Sequence, residues 1–330
     1  MHLTLFVPGL LLPGEILADT VFDLTAPSLS LILGRGQRND LPLDWLAGTF
    51  GLTNPLPAAA LRKVGAGGTA SGEWLCLDPV HLQVSREGIS LADPIHLDLT
   101  AEESAALIVA MQPLFATWGE LSASHPQHWE LRLHRSLLLD TRALADCIGL
   151  AVDPELPAGL DGQEWRRLLA EAQTILHAHQ VNRQREALGK PLVNSLWPWG
   201  QGKLPEKVQT DYAVIWSDDP VIAGLSAQVN IPCIAPPPCF QAAGGEVMCH
   251  LASLVNPARM HDALAWRHTL MMLERDWLAP SVAALKKGEC KALRLIGTDV
   301  HGTPKSVVYS LVRGNLWRFW RRPLPLTDLI

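Results

Sequence analysis

The chain has 330 residues, 48% of them apolar, so it is long enough to bury a sizeable core as one large or two modest domains. Its formal net charge of −6 and its pI near 6.0 exclude a general electrostatic attraction to nucleic acid or to an anionic membrane.

The N-terminal segment MHLTLFVPGLLLPG is apolar but does not have the features of a signal peptide. No basic region precedes its apolar run, and Pro8-Gly9 and Pro13-Gly14 interrupt that run. No other stretch approaches the roughly 20 apolar residues of a membrane span. We therefore expect a cytoplasmic protein without a membrane partner.

Six cysteines are scattered along the chain without a CxxC pair, which is typical of reduced and mostly buried thiols. Four potential metal ligands lie within a short stretch of sequence: Cys233, Cys239, Cys249 and His250. Their spacing fits no common zinc pattern, so a metal site is not favoured there.

In the first half of the chain, Leu3–Val7 predicts a buried strand, and residues 41–72, which contain GAGG, predict loops. Residues 72–91 predict two strands joined near residues 86–88. Thr100 and Glu103 form a capping-box pattern that opens a helix, and Pro113 is expected to kink or end it. HWELRLHRSLLL alternates at Trp129, Leu131 and Leu133 and predicts a strand with one wet face.

In the second half, a long helix is expected from Asp161, with Glu164 completing its cap and Gly189 ending it. DYAVIWS predicts a buried strand. A further helix fits residues 260–287, bent or divided at Pro280, and ALRLIG and KSVVYSLV predict strands. This alternation favours an α/β core.

The tail RGNLWRFWRRP combines arginines with tryptophan and phenylalanine, a combination that can stack on bases and hold phosphates. Its alternation more simply predicts an edge strand protected by arginines. Nucleic acid is accordingly not the expected partner.

Residues 198–203, PWGQGK, have two interpretations. Gly200 and Gly202 would let backbone N–H groups approach an anion, with Lys203 adding charge, although the spacing is not that of a P-loop. Alternatively the segment is a glycine-rich turn covered by tryptophans.

A longer pattern around this segment resembles the archaeal-type, cofactor-independent phosphoglycerate mutases. The matching residues, in order, are HQVNRQR (179–185), Gly189-Lys190-Pro191, Asn194, WPWGQG (197–202) and Pro205. Fainter similarity continues through residues 211–231, LERDWLAPSVAAL, TDVHGTP and PLPL at 323–326. The resemblance implies an α/β fold: an alkaline-phosphatase-like core sheet flanked by helices, with an inserted α+β domain. Residues 1–45 and 179–330 would form the core, and residues 46–178 the insert.

A separate prediction is that the segment around PWGQGK binds an anion, and the candidate residues are Arg185, Asn194, Gly200, Gln201, Gly202 and Lys203. The corresponding ligand is a small phosphorylated or otherwise anionic molecule. A protein partner is a further possibility.

The family's chemistry uses two divalent metals beside a serine that is transiently phosphorylated. Here Pro8-Gly9 stands where the resemblance expects an Asp-Gly ligand segment, and Asn256–Met260 replaces a segment ending in histidine. The remaining candidate ligands for Mn, Zn or Mg are Asp299, His301, His261 and Asp262. Ser28 and Ser30 lack the pattern expected around the nucleophile, so no catalytic residue is assigned.

The segment WLCLDPVHL offers chemistry of its own, because Asp78 and His81 could pair or bind a metal; a turn at Asp78-Pro79 is the simpler interpretation. Together with LWRFWRRPLPL, it resembles a bacterial group of phosphoglycerate-mutase-like proteins called RpfE-type regulatory proteins.

Two hypotheses follow. In the first, the scaffold has lost two-metal catalysis and serves a binding or regulatory role, with no cofactor expected. In the second, it is an active metal-dependent phosphoglycerate mutase or phosphomonoesterase with a rearranged metal site.

Overall fold

Strands and helices alternate along the chain in the computed structural model, which describes residues 1–42, 44–85, 88–153, 156–300 and 305–329. The strands are β1 (His2–Pro8), β2 (Gln37–Asp40), β3 (Glu73–Val80), β4 (Leu82–Ser85), β5 (Gly88–Leu91), β6 (Gly119–His125), β7 (His128–Leu133), β8 (Ser195–Lys203), β9 (Val214–Trp216), β10 (Cys233–Ile234), β11 (Glu246–His250), β12 (Ala292–Thr298) and β13 (Ser306–Val312). The helices are α1 (Gly14–Val21), α2 (Pro27–Arg35), α3 (Trp45–Thr49), α4 (Ala58–Gly65), α5 (Ala101–Phe115), α6 (Leu144–Cys147), α7 (Gly162–Ala178), α8 (Gln180–Ala187), α9 (Pro220–Gln228), α10 (Val255–Arg259), α11 (Ala263–Leu273), α12 (Ala279–Lys287) and α13 (Arg313–Leu316).

The chain divides into two compact units. Unit 1 comprises Met1–Gly51, Gln209–Ile222 and Val229–Ile330, and unit 2 comprises Leu52–Val208 and Ala223–Gln228. Unit 2 thus extends to residue 208, beyond the predicted boundary at 178, because β8 pairs with β3 in the sheet of unit 2.

Unit 1 is built on a seven-stranded sheet in the order β10-β9-β11-β1-β12-β13-β2. The pairs from β10 to β12 are parallel, and β13 and β2 add antiparallel strands at one edge. Leu3, Leu5 and Val7 on one face of β1 and Thr4 and Phe6 on the other are all buried, as expected for a central parallel strand covered on both faces. The predicted α/β core is confirmed, as are the strands predicted at both ends of the chain.

The helix predicted over residues 260–287 consists of α11, a π-helical turn at Glu274–Leu278 and α12. Pro280 follows the π-helical turn, and the Asp276 carbonyl group that its missing N–H leaves without a helical partner accepts Phe240 N at 2.8 Å. The predicted helix is therefore present over residues 263–287, with a π-helical turn just before Pro280 and no division there.

Unit 2 contains an antiparallel sheet in the order β6-β7-β3-β8 and the separate β4–β5 hairpin. Thr100 and Glu103 form the predicted capping box of α5. Pro113 does not end α5, which continues to Phe115. The carbonyl group that Pro113 leaves without a helical partner is that of Val109, a residue 75% exposed, so water can solvate it.

The helix predicted from Asp161 to Gly189 is divided into α7 and α8 at His179, which is extended, with ψ 142°. The His179 ring caps α8 by accepting a hydrogen bond from Val181 N. The carboxylate of Asp161 does not cap α7, because it accepts the N–H of Leu138 at 2.7 Å instead. The predicted cap at Asp161 is therefore wrong.

The tail is not an edge strand. Residues Arg313–Leu316 form α13, and β2 already occupies the sheet position next to β13. The Arg35 side chain donates to Leu316 O at 2.5 Å and to Arg321 O at 3.3 Å, which holds the tail beside the end of α2. Among the described residues, no helix combines the length and the apolar character needed to cross a membrane.

The segment PWGQGK is part of strand β8 rather than a loop. Gly200 has φ +62°, and a Cβ added to it would lie 2.7 Å from the Cβ of Ala58 in α4. A Cβ on Gly202 would lie 2.7 Å from the Cβ of Pro57. The two glycines therefore allow the start of α4 to pack directly on β8.

We expect Gly200→Ala to lower the free energy of unfolding by about 2 kcal/mol, because it adds overpacking to a left-handed backbone. Gly189→Ala is the matched control: its φ is +66°, but a Cβ there meets nothing within 4 Å, so a loss of about 1 kcal/mol is expected. Denaturant unfolding of both variants measures the difference. Equal losses would contradict the packing role of Gly200.

Candidate functional site

A crevice in unit 1 lies outside the carboxyl ends of β9 and β11. The strand that follows β9 in sequence, β10, lies on one side of β9 in the sheet, and the next strand, β11, lies on its other side. The strand order therefore reverses between β9 and β11. Such a switch point is where ligands bind in open α/β sheets. The β9–β11 crevice has a volume of about 460 Å³ and is lined by Asp218, Asp219, Pro220, Pro236, His250, Leu251, Ala252 and Ser253.

His250 is the central polar group of this crevice. Its ring stacks on Phe6, with centroids 4.9 Å apart, and its Nδ1 lies 3.1 Å from Ser217 Oγ. Ser217 Oγ also accepts the N–H of Asp219 at 3.0 Å, so its own proton is available for His250 Nδ1. Ser217 thus positions the imidazole.

Burial lowers the pKa of His250, and the nearby charges of Asp219 and then Asp218 only partly offset that effect. Asp219 Oδ1 caps α9 by accepting the N–H groups of Val221 and Ile222 at 2.8 and 2.9 Å. The side chain of Asp218 is exposed. The crevice therefore offers a neutral imidazole and carboxylate oxygens to a polar ligand.

The sequence patterns did not predict this crevice, and they grouped His250 only with the cysteines. The available signal was the run Ser217-Asp218-Asp219, which directly follows the predicted strand DYAVIWS. Polar residues at the carboxyl end of a parallel strand lie where α/β sheets bind ligands.

Because the folded-state pKa of His250 lies below its ordinary value of 6.5, the neutral ring stabilises the fold above pH 6.5. This stability is lost as the pH falls through the lower, folded-state pKa. We expect His250→Gln to make the melting temperature less dependent on pH between about pH 7 and pH 5. If the melting temperatures of wild type and variant changed with pH by the same amount, this prediction would be wrong. NMR titration of the His250 ring measures its pKa directly.

The segment that the resemblance aligns with a metal ligand is tightly packed in this chain. Gly9 has φ +78°, and a Cβ added to it would lie 2.6 Å from Leu254 O. Its own carbonyl accepts the indole N–H of Trp266 at 2.8 Å. Asn256 Oδ1 is buried and has no hydrogen-bond partner among the described residues.

The predicted metal ligands do not form a cluster in the described structure. Asp262 caps α11 by accepting Ala265 N at 2.9 Å, and with His261 it lines a cavity of only about 20 Å³. Asp299 follows β12, whereas His301 lies outside the described residues. Across the described ranges, no three His, Cys, Asp or Glu side chains are grouped to hold a metal. The described donors therefore do not fit a two-metal centre.

The predicted anion-binding residues lie in unit 2, and several of their side chains have internal partners. Arg185 is buried and donates to Glu103 Oε2 at 2.7 Å, to Pro191 O at 2.8 Å and to Leu97 O. Asn194 bonds both the N–H and the carbonyl group of Leu82.

Farther along the same segment, Gln201 Nε2 donates to Glu73 Oε1 at 2.6 Å and to Leu137 O at 2.9 Å. Lys203 is exposed. Gly200–Lys203 lie together on β8, whereas Arg185 and Asn194 join other elements.

A buried ion cluster in unit 2 uses Asp78 differently from the prediction. Asp78-Pro79 belongs to β3 rather than a turn, and the Asp78 carboxylate accepts two hydrogen bonds from Arg62, both at 2.8 Å. Glu130 Oε1 lies 3.0 Å from Arg62 Nη2. The side chain of His81 instead contacts Leu192 O.

No protein-family model matches the chain. It is 39% identical over 61 residues to the 2,3-bisphosphoglycerate-independent phosphoglycerate mutase of Methanosarcina mazei. Over 61 residues it is 38% identical to 2,3-bisphosphoglycerate-independent phosphoglycerate mutase 2 of Methanothermobacter thermautotrophicus. Each match covers 18% of this chain and only 15% of the relative.

Two solved structures resemble this one over nearly the whole chain. The cofactor-independent phosphoglycerate mutase of Thermoplasma acidophilum has a TM-score of 0.50 at 16% identity, covering 99% of this chain and 94% of its own. The PH0037 protein of Pyrococcus horikoshii has a TM-score of 0.55 at 13% identity, covering 99% and 91%. The fold is therefore similar to the phosphoglycerate mutase fold, which is alkaline-phosphatase-like.

Proposed function

We propose that this chain is a phosphoglycerate-mutase-like protein that has lost two-metal catalysis and serves a binding or regulatory role. The observation that carries the proposal is the packing of Gly9 against Leu254 O, with Trp266 bonded to the Gly9 carbonyl. No side chain fits at Gly9, and the preceding Pro8 offers no metal-binding group. One carboxylate ligand of a two-metal centre would be absent.

Two neighbouring segments support the same proposal. Asn256 supplies a neutral amide oxygen where the aligned family segment begins with a carboxylate. Asp262 uses its carboxylate as a helix cap. Two divalent ions need several anionic ligands to offset their charge, and these residues do not supply them.

The β9–β11 crevice is the binding site that we assign to this role. Asp218, Asp219 and a neutral His250 suit a small molecule with hydroxyl or cationic hydrogen-bond donors. Placement in the cytoplasm and in the RpfE-type group belongs to the same proposal. Anion binding at Gly200–Lys203 stays a separate prediction. It is tested by measuring how much phosphate raises the melting temperature of the wild type and of Lys203→Glu.

One observation favours the second candidate, an active enzyme with a rearranged metal site. Asp299 follows β12 directly, and the carbonyl of the preceding Thr298 accepts the N–H groups of Gly9 and Leu11 at 3.0 and 3.3 Å. A carboxylate is therefore available in the segment next to the end of β1.

The two candidates differ in bound metal and in activity. The protein is incubated with Mn²⁺, Zn²⁺ or Mg²⁺, desalted and subjected to elemental analysis, and phosphoglycerate mutase and phosphomonoesterase activities are assayed in parallel. We expect no stoichiometric metal and no metal-dependent turnover. About two ions per chain, with activity abolished in the Asp299→Ala, His301→Ala double variant, would overturn the proposal.

The assignment of the crevice is tested separately. A small-molecule library is screened by NMR against wild type and against the Asp218→Asn, His250→Gln double variant, with the exposed Asp211→Asn as the matched control. Hits that perturb residues of the crevice should lose binding in the double variant only. Hits that bind all three proteins equally would contradict a ligand site in the crevice.

A further inference from the structure

A second cleft of unit 1 lies at the end of α2 and is unrelated to the β9–β11 crevice. Its volume is about 530 Å³, and its polar walls come from β2, β13 and the tail. The side chains that matter for its chemistry are Arg38, Tyr309, Arg321, Arg322 and Asp328. We call it the arginine cleft.

The tail is fixed in this cleft through its backbone. A Cβ on Gly34 would lie 2.1 Å from Arg322 O, so only glycine permits this approach. Arg35 donates to Arg321 O, and Leu324 N donates to Ser30 O at 3.0 Å. These contacts bring Arg321 and Arg322 to the cleft without using their side chains.

The charges of the cleft do not balance. Arg38 pairs with Asp40 at 3.1 Å. The guanidinium groups of Arg321 and Arg322 have no ion-pair or hydrogen-bond partner within the described part of the chain. Two free guanidinium groups therefore oppose the single carboxylate of Asp328, which leaves an excess of positive charge.

Tyr309 provides an independent indication of a ligand. It lies opposite Arg38 in the β13–β2 pair and is only 2% exposed. Its hydroxyl group is buried and makes no hydrogen bond of normal geometry with any described residue, and the side chain of Arg38 is the group that interacts with it. Burial raises its pKa, with Arg38 opposing that shift, so the hydroxyl stays protonated as a donor. An unsatisfied buried hydroxyl is costly unless a ligand binds it.

We infer that the arginine cleft binds the phosphate group of a small phosphomonoester. Arg321 and Arg322 can each donate two parallel hydrogen bonds, and Tyr309 donates one more. A phosphate group has three free oxygens to accept them, whereas a carboxylate has two. Leu33 and Leu324 line the same cleft and suit an apolar body attached to the phosphate.

The test uses the full chain and calorimetric titration with phenyl phosphate, inorganic phosphate and benzoate. The variants are Tyr309→Phe, Arg322→Gln and, as a control, Arg318→Gln, which removes a tail arginine outside the cleft. We expect phenyl phosphate to bind more tightly than inorganic phosphate, and benzoate to bind most weakly.

Tyr309→Phe and Arg322→Gln should each weaken phenyl phosphate binding about tenfold, while Arg318→Gln leaves it unchanged. Tyr309→Phe should change the melting temperature of the free protein little, because the deleted hydroxyl makes no hydrogen bond of normal geometry and interacts only with the side chain of Arg38. An unchanged melting temperature would show that the weaker binding of this variant does not result from unfolding.

Three results would overturn the inference: no binding of phenyl phosphate, equal weakening in Arg318→Gln, or equal affinity for benzoate. Tight binding of a single-stranded oligonucleotide that depends on Arg318 as much as on Arg322 would also overturn it, in favour of a nucleic-acid surface on the tail. None of these results depends on the β9–β11 crevice or on metal.

Discussion

Replacing Arg62 with methionine is expected to lower the free energy of unfolding by about 3–5 kcal/mol. Arg62, Asp78 and Glu130 are 2%, 1% and 0% exposed, so water cannot replace the lost guanidinium. Methionine retains most of the apolar volume of the arginine side chain. The decrease in the free energy of unfolding therefore measures the cost of leaving two buried carboxylates without their cation. Breaking one member of a buried ion cluster costs far more than the intact cluster contributes.

The remaining contacts of Asp78 and Glu130 cannot compensate for this loss. Asp78 still accepts Trp129 N at 3.1 Å and the indole N–H of Trp199 at 2.7 Å. Glu130 still accepts the hydroxyl of Ser124 at 2.7 Å. These donors are neutral, and they are weaker partners for a buried charge than a guanidinium.

Arg132→Met is the matched control for Arg62→Met. The side chain of Arg132 is 49% exposed, and its ion pair with Glu120 is long, at 3.9 Å. Such an exposed pair contributes little, so little change in stability is expected. Denaturant unfolding and amide hydrogen exchange in β3 and β7 measure both variants. Equal effects of the two substitutions would show that the buried cluster does not stabilise unit 2.

The pH dependence of the Arg62→Met variant tests the same cause. Burial already raises the pKa of Glu130, with Arg62 opposing that shift. Without Arg62 the pKa of Glu130 in the folded protein rises further. A carboxyl group with a raised folded-state pKa stabilises the fold at a pH below its unfolded-state pKa, and this stabilisation is lost as the pH rises. The deficit relative to wild type should therefore be smaller at about pH 5 than at about pH 8. A deficit independent of pH would point to packing alone.

The cluster also shows which parts of the structure local sequence patterns could predict. Trp129, Leu131 and Leu133 were predicted to face the core, and they are buried. Glu130 was predicted on a wet face because it alternates with them, yet its partner Arg62 lies 68 residues earlier in the chain. The alternation of apolar and polar residues predicts which apolar side chains are buried. It cannot predict that a carboxylate is buried beside a cation that is distant in sequence.

The same distinction explains the other outcomes. The capping box at Thr100 and the apolar runs of β1, β12 and β13 depend on residues close in sequence, and they were predicted. The strand at PWGQGK depends on α4 packing against its glycines. The position of the tail depends on Arg35, roughly 280 residues earlier in the chain. Such features become visible only when the chain is folded.

The candidate site was predicted least well. The resemblance places the metal-ligand segments at Pro8-Gly9, at Asn256–Met260 with Asp262, and at Asp299. The structure shows tight packing at Gly9 and a helix cap at Asp262, and the described residues form no cluster of metal donors. The crevice at Asp218 and His250 arises because β9 and β11, more than 30 residues apart in sequence, are neighbours in the sheet. Strand order, which the sequence pattern did not reveal, creates that site.

Glu274→Ala is expected to lower the free energy of unfolding by about 4 kcal/mol. Helix α2 has no side-chain cap of its own, since its N-cap residue is Ala26 and Pro27 has no N–H. The buried carboxylate of Glu274 instead accepts Ser28 N at 2.7 Å and Leu29 N at 3.0 Å. Alanine leaves both N–H groups without an acceptor at the positive end of the helix dipole.

Glu274→Gln separates the two contributions of this carboxylate. Glutamine has one acceptor oxygen and no charge, so it can satisfy one of the two N–H groups, and a loss near half that of alanine is expected. Glu102→Ala is the control, because Glu102 lies in the first turn of α5 but is exposed, and little change is expected. Denaturant unfolding ranks the variants, and hydrogen exchange at Ser28 and Leu29 locates the effect. If alanine and glutamine cost the same, the single neutral acceptor of glutamine contributes nothing, and the charge and the second acceptor account for the whole effect. If neither substitution lowers stability, α2 is held by the packing of Leu29 and Ile32 alone.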